Sequence, residues 1–282
     1  MPKFGAHMSI SGGVHNAFEQ ARKTGCDAIQ IFTKSNRFWK ARDLKDAEIS
    51  KFHEELAESG IGPVVTHASY LINLGSPDDA LWEKSMNGLK IELERCETLK
   101  IPYLVLHPGA HMKKGPEAGV ARVSAALDQV HDALPDHQVK VTLEITAGQG
   151  TALGRSFEEL AAIRDGVQAP ERLVFCFDTC HALATGYEFR SEESYQQMMT
   201  EMDEYIGIEN VKVMHINDSK GDLESHLDRH THIGEGHIGL EPFGFFINDP
   251  RLAHAPFLLE TPQEVEIESD QENLAKLRSL VR

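Results

Sequence analysis

The chain has 282 residues, room for one large barrel or two smaller domains, and its 41% hydrophobic content excludes a disordered or collagen-like protein. Lys and Arg number 28 against 44 Asp and Glu, so the formal charge is −16, which opposes nucleic-acid binding through a broad basic surface but not through local cations. The first ten residues lack a secretory core, and no apolar run reaches the ~18 residues of a membrane span, so a soluble, cytoplasmic protein is expected.

Short β-branched or aromatic runs alternate with longer stretches of helical periodicity, the pattern of a parallel sheet with crossover helices. Strands are predicted over 3–7, 28–32, 62–67, 103–107, 140–144, 173–178, 211–217 and 256–260. Helices are predicted over 14–24, 47–59, 78–99, 117–134, 156–165, 191–206, 241–248 and 264–281. No linker or repeat divides the chain, so one domain over 1–282 is expected, and eight βα units predict a closed (β/α)8 barrel. An open doubly wound sheet is the weaker alternative, because the first turn, Ser9-Ile-Ser-Gly-Gly13, lacks its glycine fingerprint. Four scattered cysteines fit reduced thiols. Cys176 and Cys180 have a ligand-like spacing, yet Cys176 alternates with Phe175 and Phe177 and reads as a buried apolar thiol.

Active sites of such barrels lie at the C-terminal mouth, so the residues closing the strands carry the functional information. Six strands bring a metal-type ligand there: His67, His107, Glu144, Asp178, His215 and Glu260. Each alone is compatible with an ordinary hydrogen-bonded rim residue. Six together, on apolar strands where an unpaired charge is costly, point to divalent cations. Two loop motifs extend the set, Asp178-Thr-Cys-His181 and Asp228-Arg-His230. Nine nitrogen and carboxylate ligands suit three ions better than one, given about four ligands per structural zinc and three plus water in catalytic sites. His53, His131, His137 and His254 read as solvated surface groups. His7, His111, His226, His232 and His237 lie near the mouth without a ligating spacing.

The run Gly234-Glu-Gly236-His-Ile-Gly239 matches a dinucleotide fingerprint, but a polar segment rather than a strand precedes it.

With these residues the chain resembles the endonuclease IV family of apurinic/apyrimidinic endonucleases. The likeness rests on His67-Ala-Ser-Tyr-Leu-Ile-Asn-Leu-Gly75, Cys176-Phe-Asp-Thr-Cys-His181 and Met214-His-Ile-Asn-Asp-Ser-Lys220, and runs from the first strand to the last. It implies three zinc ions, with manganese an alternative in one position. His67, His107 and a bridging Glu144 would hold the first, Glu144, Asp178, His215 and Glu260 the second, and His181, Asp228 and His230 the third. It also implies a substrate of duplex DNA with an abasic site, cut on the 5′ side to leave a 3′-hydroxyl and a 5′-deoxyribose phosphate, together with removal of 3′-blocking groups. Such ions lower the pKa of bound water to about 7 and brace an in-line displacement, with Glu144 or Glu260 orienting or deprotonating the water. Arg37, Tyr70 and Leu71 match residues that enter the minor groove and fill the gap of the flipped-out nucleotide. Ile145 stands where the family commonly has Asn, and Phe38 where a polar residue is usual.

Two other functions compete. A sugar isomerase-like barrel would use Glu144, Asp178, His215 and Glu260 alone. A non-catalytic lesion-binding or metal-storage protein would bind a damaged duplex without turnover.

Overall fold

The structure, a computed structural model, describes residues 1–262 and 266–282. Eight parallel strands close a barrel: β1 (Lys3–His7), β2 (Ala28–Ile31), β3 (Val64–His67), β4 (Tyr103–Leu106), β5 (Lys140–Glu144), β6 (Leu173–Asp178), β7 (Val211–His215) and β10 (Pro256–Leu259). In circular order they run β1-β10-β7-β6-β5-β4-β3-β2. The expected TIM barrel is therefore the architecture. The helices are α1 (Asn16–Thr24), α2 (Asp46–Glu58), α3 (Asp79–Leu99), α4 (Pro116–Ala133), α5 (Phe157–Asp165), α6 (Thr179–Thr185), α7 (Glu192–Ile206), α8 (Phe243–Ile247) and α9 (Glu266–Arg278). Residues 264 and 265, the predicted start of the last helix, lie outside the described residues.

Several predicted strands end one residue too late or begin too early, because Gly62 and Pro63 precede the β3 ladder and His107 and Glu260 follow theirs. The prediction over 211–217 overruns β7 by two residues. After β7, Asp218–Ser219 (β8) pairs antiparallel with His230–Thr231 (β9). Helix α6 begins inside the Asp178 motif, with Asp178 itself as its N-cap.

Side chains alternate in and out along each strand. Outward residues such as Phe4, Ile29, Leu104, Phe175 and Phe257 join the main core beneath the helices. Inward residues Ala28, Val65, Val105, Cys176, Val213 and Leu258 form a separate apolar plug within the barrel. Gly5 has the same parity, and a Cβ there would collide with the Ala28 carbonyl oxygen. Two residues beyond this layer, with the same parity, come His7, Gln30, His67, His107, Glu144, Asp178, His215 and Glu260. The ligand layer is thus seated on the plug.

His131 corrects a sequence expectation. It is buried on the inner face of α4, and burial lowers its pKa to about 4. All four cysteines are buried and unpaired. Among the described residues no helix is long and apolar enough to cross a membrane.

The first two βα loops are tied together by Glu48 on α2. Its Oε1 accepts from the Val14 amide at 3.0 Å, and both carboxylate oxygens accept from Arg42 at 2.7 and 2.8 Å. Hydrogen bonding by Arg42, supported by Val14, holds the carboxyl at about 2 against the effect of burial. The stability from this depressed pKa is full above the unfolded value of about 4.3 and is lost as pH falls toward 2. The stability difference between wild type and Glu48→Gln should therefore shrink between about pH 5 and pH 2, read by urea unfolding at each pH. A difference independent of pH would contradict this role.

Candidate metal centre

Glu144, at the end of β5, is fully buried and faces four imidazoles. Its Oε2 lies 3.2 Å from His67 Nε2 and 3.0 Å from His107 Nε2, and its Oε1 lies 2.9 Å from His215 Nδ1 and 3.3 Å from His181 Nδ1. One carboxylate thus turns an oxygen to each of two groups. His67, His107 and Glu144 have ligand atoms within 4.8 Å of one another, as do Glu144, Asp178, His215 and Glu260, and also Asp178, His181 and His230.

Backbone carbonyls fix the imidazole tautomers. His67 Nδ1–H donates to Ala68 O at 2.7 Å, His181 Nδ1–H to Ile145 O at 3.0 Å and His230 Nδ1–H to Glu260 O at 3.1 Å. Because these carbonyls only accept, each ring presents Nε2 to the site, an arrangement common around bound metals. The Nε2 atoms of His181 and His230 are buried without a hydrogen-bond partner. They lie 3.2 and 3.8 Å from Asp228 Oδ1, so three donors face a shared space without bonding to one another. This orphaned geometry and the mixed nitrogen and carboxylate donors fit divalent cations.

Without ions, the carboxylates and imidazoles compensate one another. Burial pushes Glu144 and Glu260 up, but His215 and the neighbouring imidazoles outweigh it and hold both carboxyls well below their usual range. Burial lowers His181 and His215, yet the surrounding acidic groups raise both well above the ordinary imidazole value, and His230 rises to about 10. Cys176 also approaches Glu144 and His215 from below. Burial pushes its thiol up to about 12, which keeps it protonated and within the plug.

Local structure aims the remaining ligands. Asp178 Oδ1 accepts from the His181 amide at 2.8 Å as the cap of α6, and Oδ2 accepts from Asn217 Nδ2 at 2.7 Å. Asn217 Oδ1 also accepts from the Glu260 amide at 2.7 Å. The β8–β9 hairpin carries Asp228 and His230. It is anchored by Asp218, whose carboxylate accepts backbone N–H bonds from Ser219, Gly234, Gly236 and Ile238. A Cβ at Gly236 would strike Asp218 and the Ser219 carbonyl. The dinucleotide-like glycine run is therefore a scaffold for this hairpin.

Of the other expected site residues, Arg37 is exposed on the β2–α2 loop, Leu71 is half-buried, and Tyr70 is 57% exposed. The Tyr70 ring centroid lies 4.9 Å from that of His67 and 5.7 Å from that of His107. A buried ion pair supports these loops. Lys34 Nζ lies 3.2 Å from Glu92 and donates to Phe38 O at 2.9 Å, while Glu92 Oε1 accepts from the Ser69 amide at 3.1 Å. Phe38 itself is 65% exposed. The Ile145 side chain is buried in the main core, and the bond to His181 comes from its backbone.

Comparisons with known proteins identify the family and the fold. The model of the family described as xylose isomerase-like TIM barrel matches residues 18–280. A protein described as probable endonuclease 4 from Chloroflexus aggregans is 49% identical over 282 residues, covering 100% of this chain and 99% of that protein. One of the same description from Trichlorobacter lovleyi is 46% identical, covering 98% of both. The crystal structure of endonuclease IV from Thermus thermophilus superposes with a TM-score of 0.88 at 39% identity, covering 99% of this chain and 98% of that one. The chain belongs to the endonuclease IV family. A D-tagatose 3-epimerase-like protein, at 19% identity and a TM-score of 0.73, shares the fold alone with this endonuclease IV family member.

Sequence reasoning missed Gln30 in this family member. Its side chain is fully buried in the ligand layer. Oε1 accepts from His215 Nε2–H at 2.8 Å, and Nε2 donates to Glu260 Oε1 at 2.6 Å. The first contact turns His215 Nδ1 into the site, and the second leaves Glu260 Oε2 facing it at 3.3 Å. A Gln inside an apolar strand, in register with the strand-end ligands, was the available signal. Replacing Gln30 by Leu should weaken binding of a divalent cation at this site about 10–100-fold, as loss of such outer contacts does, read with zinc as the probe by competition with a chromophoric chelator. Unchanged zinc affinity would contradict the role.

Proposed function

We propose that the protein is a metal-dependent DNA-repair endonuclease that hydrolyses the phosphodiester 5′ to an abasic site in duplex DNA. It leaves a 3′-hydroxyl and a 5′-deoxyribose phosphate and also clears blocked 3′ ends. The observation that carries this reading is Glu144 placed between two groups of imidazoles, with a third group completed by His181, Asp228 and His230. An isomerase-type set of Glu144, Asp178, His215 and Glu260 would leave His67, His107, His181, Asp228 and His230 without a task.

The residues fit three zinc ions, with manganese an alternative in one position. His67, His107 and Glu144 would hold the first, Glu144, Asp178, His215 and Glu260 the second, and His181, Asp228 and His230 the third. Bound there, the ions supply Lewis-acid charge at the phosphoryl oxygens and make water acidic enough to attack near neutral pH. The protein's own groups would divide the remaining work. Glu144, enclosed by imidazoles, holds the groups in register. Glu260, whose side chain is 11% exposed where that of Glu144 is fully enclosed, is open to water, so its Oε2 would orient the attacking water and receive its proton. Gln30 keeps that carboxylate from rotating away.

Arg37, Tyr70 and Leu71 would enter the minor groove and occupy the space of the flipped-out abasic nucleotide, for which unstacking is cheapest because no base is present. The Lys34–Glu92 pair would hold the Arg37 and Tyr70 loops in one arrangement during this insertion. Four buried unpaired thiols suit action in a reducing cytoplasm.

The decisive assay uses a duplex carrying a tetrahydrofuran abasic analogue, which cannot undergo β-elimination. Wild-type protein should nick it on the 5′ side, and Glu260→Gln should lower kcat about 10²–10⁴-fold, the usual worth of a general base, while lesion binding persists in a mobility-shift assay. Folded, metal-loaded protein that leaves the analogue intact, or that binds it without turnover, would overturn the assignment.

A further inference from the structure

A chain of charge −16 needs a local means of approaching a polyanion. Six of its 28 Lys and Arg lie between positions 34 and 51: Lys34, Arg37, Lys40, Arg42, Lys45 and Lys51. The same window holds three carboxylates, Asp43, Asp46 and Glu48, so it carries +3 while the rest of the chain carries −19. One residue in three is a cation here, against one in ten overall, so the window is a positive island rather than a sample of the composition.

Two of these cations are committed within the fold, Lys34 to Glu92 and Arg42 to Glu48. Lys40, Lys45 and Lys51 are exposed and have no side-chain partner among the described residues. All three line a groove of about 660 Å³. Its other wall is the β1–α1 loop, including Gly12 and Gly13, where left-handed φ angles of 83° and 145° keep the chain free of side chains. His15 also lines the groove, and its Nδ1 is buried without a hydrogen-bond partner. One wall is the β1–α1 loop and the other is the β2–α2 loop continued into the first turns of α2, which carries Lys51, so the groove opens at the barrel rim on the loop that also bears Arg37. A cation-lined groove with two adjacent glycines on its opposite wall suits a sugar-phosphate backbone, whose charges are fixed at regular spacing.

We propose that this groove is a phosphate track for the duplex that flanks the lesion, with Lys40, Lys45 and Lys51 contacting backbone phosphates on one side of the abasic site. The inference rests on the endonuclease reading and adds a direction to it. The flank on the Arg37 side is held electrostatically, and the opposite flank does not reach these lysines. The contacts are sequence-independent, so they would strengthen binding to any flanking sequence.

The test compares wild type with the triple variant Lys40→Gln/Lys45→Gln/Lys51→Gln on the tetrahydrofuran duplex. Each lost phosphate contact should make the slope of log(kcat/KM) against log[salt] shallower by about 0.9, so the deficit of the triple variant should narrow about 40-fold between ~50 and ~200 mM KCl. Trimming the duplex on one side of the lesion should make wild type behave like the variant, and trimming the other side should not. The charge-preserving Lys→Arg triple should keep the wild-type slope, which separates lost contacts from misfolding. An unchanged slope in the folded Gln triple, or equal sensitivity to trimming on both sides, overturns the track. The same slopes measured for binding by fluorescence anisotropy decide the matter without cleavage, so failure of the nuclease reading remains distinguishable from failure of the track.

Discussion

Four carboxylates and five imidazoles are gathered where the barrel interior ends, and this concentration of charge, most of it buried, is what the rest of the site is built around. Desolvating an ionised group costs several kcal/mol unless it is compensated. Strand parity brings six of the nine there, because strands whose inward residues, such as Val65, Val105, Cys176, Val213 and Leu258, fill the interior also turn the residue two places later into the same space, while α6 and the β8–β9 hairpin add His181, Asp228 and His230. Protons can balance the cluster, as the raised imidazoles and depressed carboxylates show, and divalent cations would balance it with their charge concentrated between the ligands.

Specific contacts determine which atoms face inward. Carbonyls of Ala68, Ile145 and Glu260 each accept a hydrogen bond from one imidazole N–H, and the Gln30 amide oxygen accepts one from His215. Asn217 braces Asp178 and the backbone of Glu260 at once. Farther out, Glu48, Glu92 and Asp218 tie the rim loops to one another and to the barrel. Rigid ligands at the centre and tethered loops at the rim are what a site needs when it must hold a bulky substrate in one orientation.

Much of this was legible in the sequence. The alternation of apolar strands with amphipathic helices reflects the barrel's two cores, and the abrupt change from Leu106 to His107 or Leu259 to Glu260 marks the mouth. Strand limits were less legible because a ligand such as His107 continues the inward parity after ladder pairing has stopped. The β8–β9 hairpin was not predicted, since a two-residue ladder held by the Asp218 carboxylate has no periodicity to read. His131 was misread as solvated because one imidazole on a helix face does not reveal whether that face is packed. Gln30 was passed over because an amide is not a metal-type ligand, and its importance comes from two neighbours, His215 and Glu260, that are distant in the chain.

The most direct measurement is anomalous diffraction at the zinc edge from crystals of the purified protein. The account predicts three peaks at the mouth, with Glu144 contacting two of them and Asp228 a third. A solitary peak, or peaks away from these nine side chains, would contradict it.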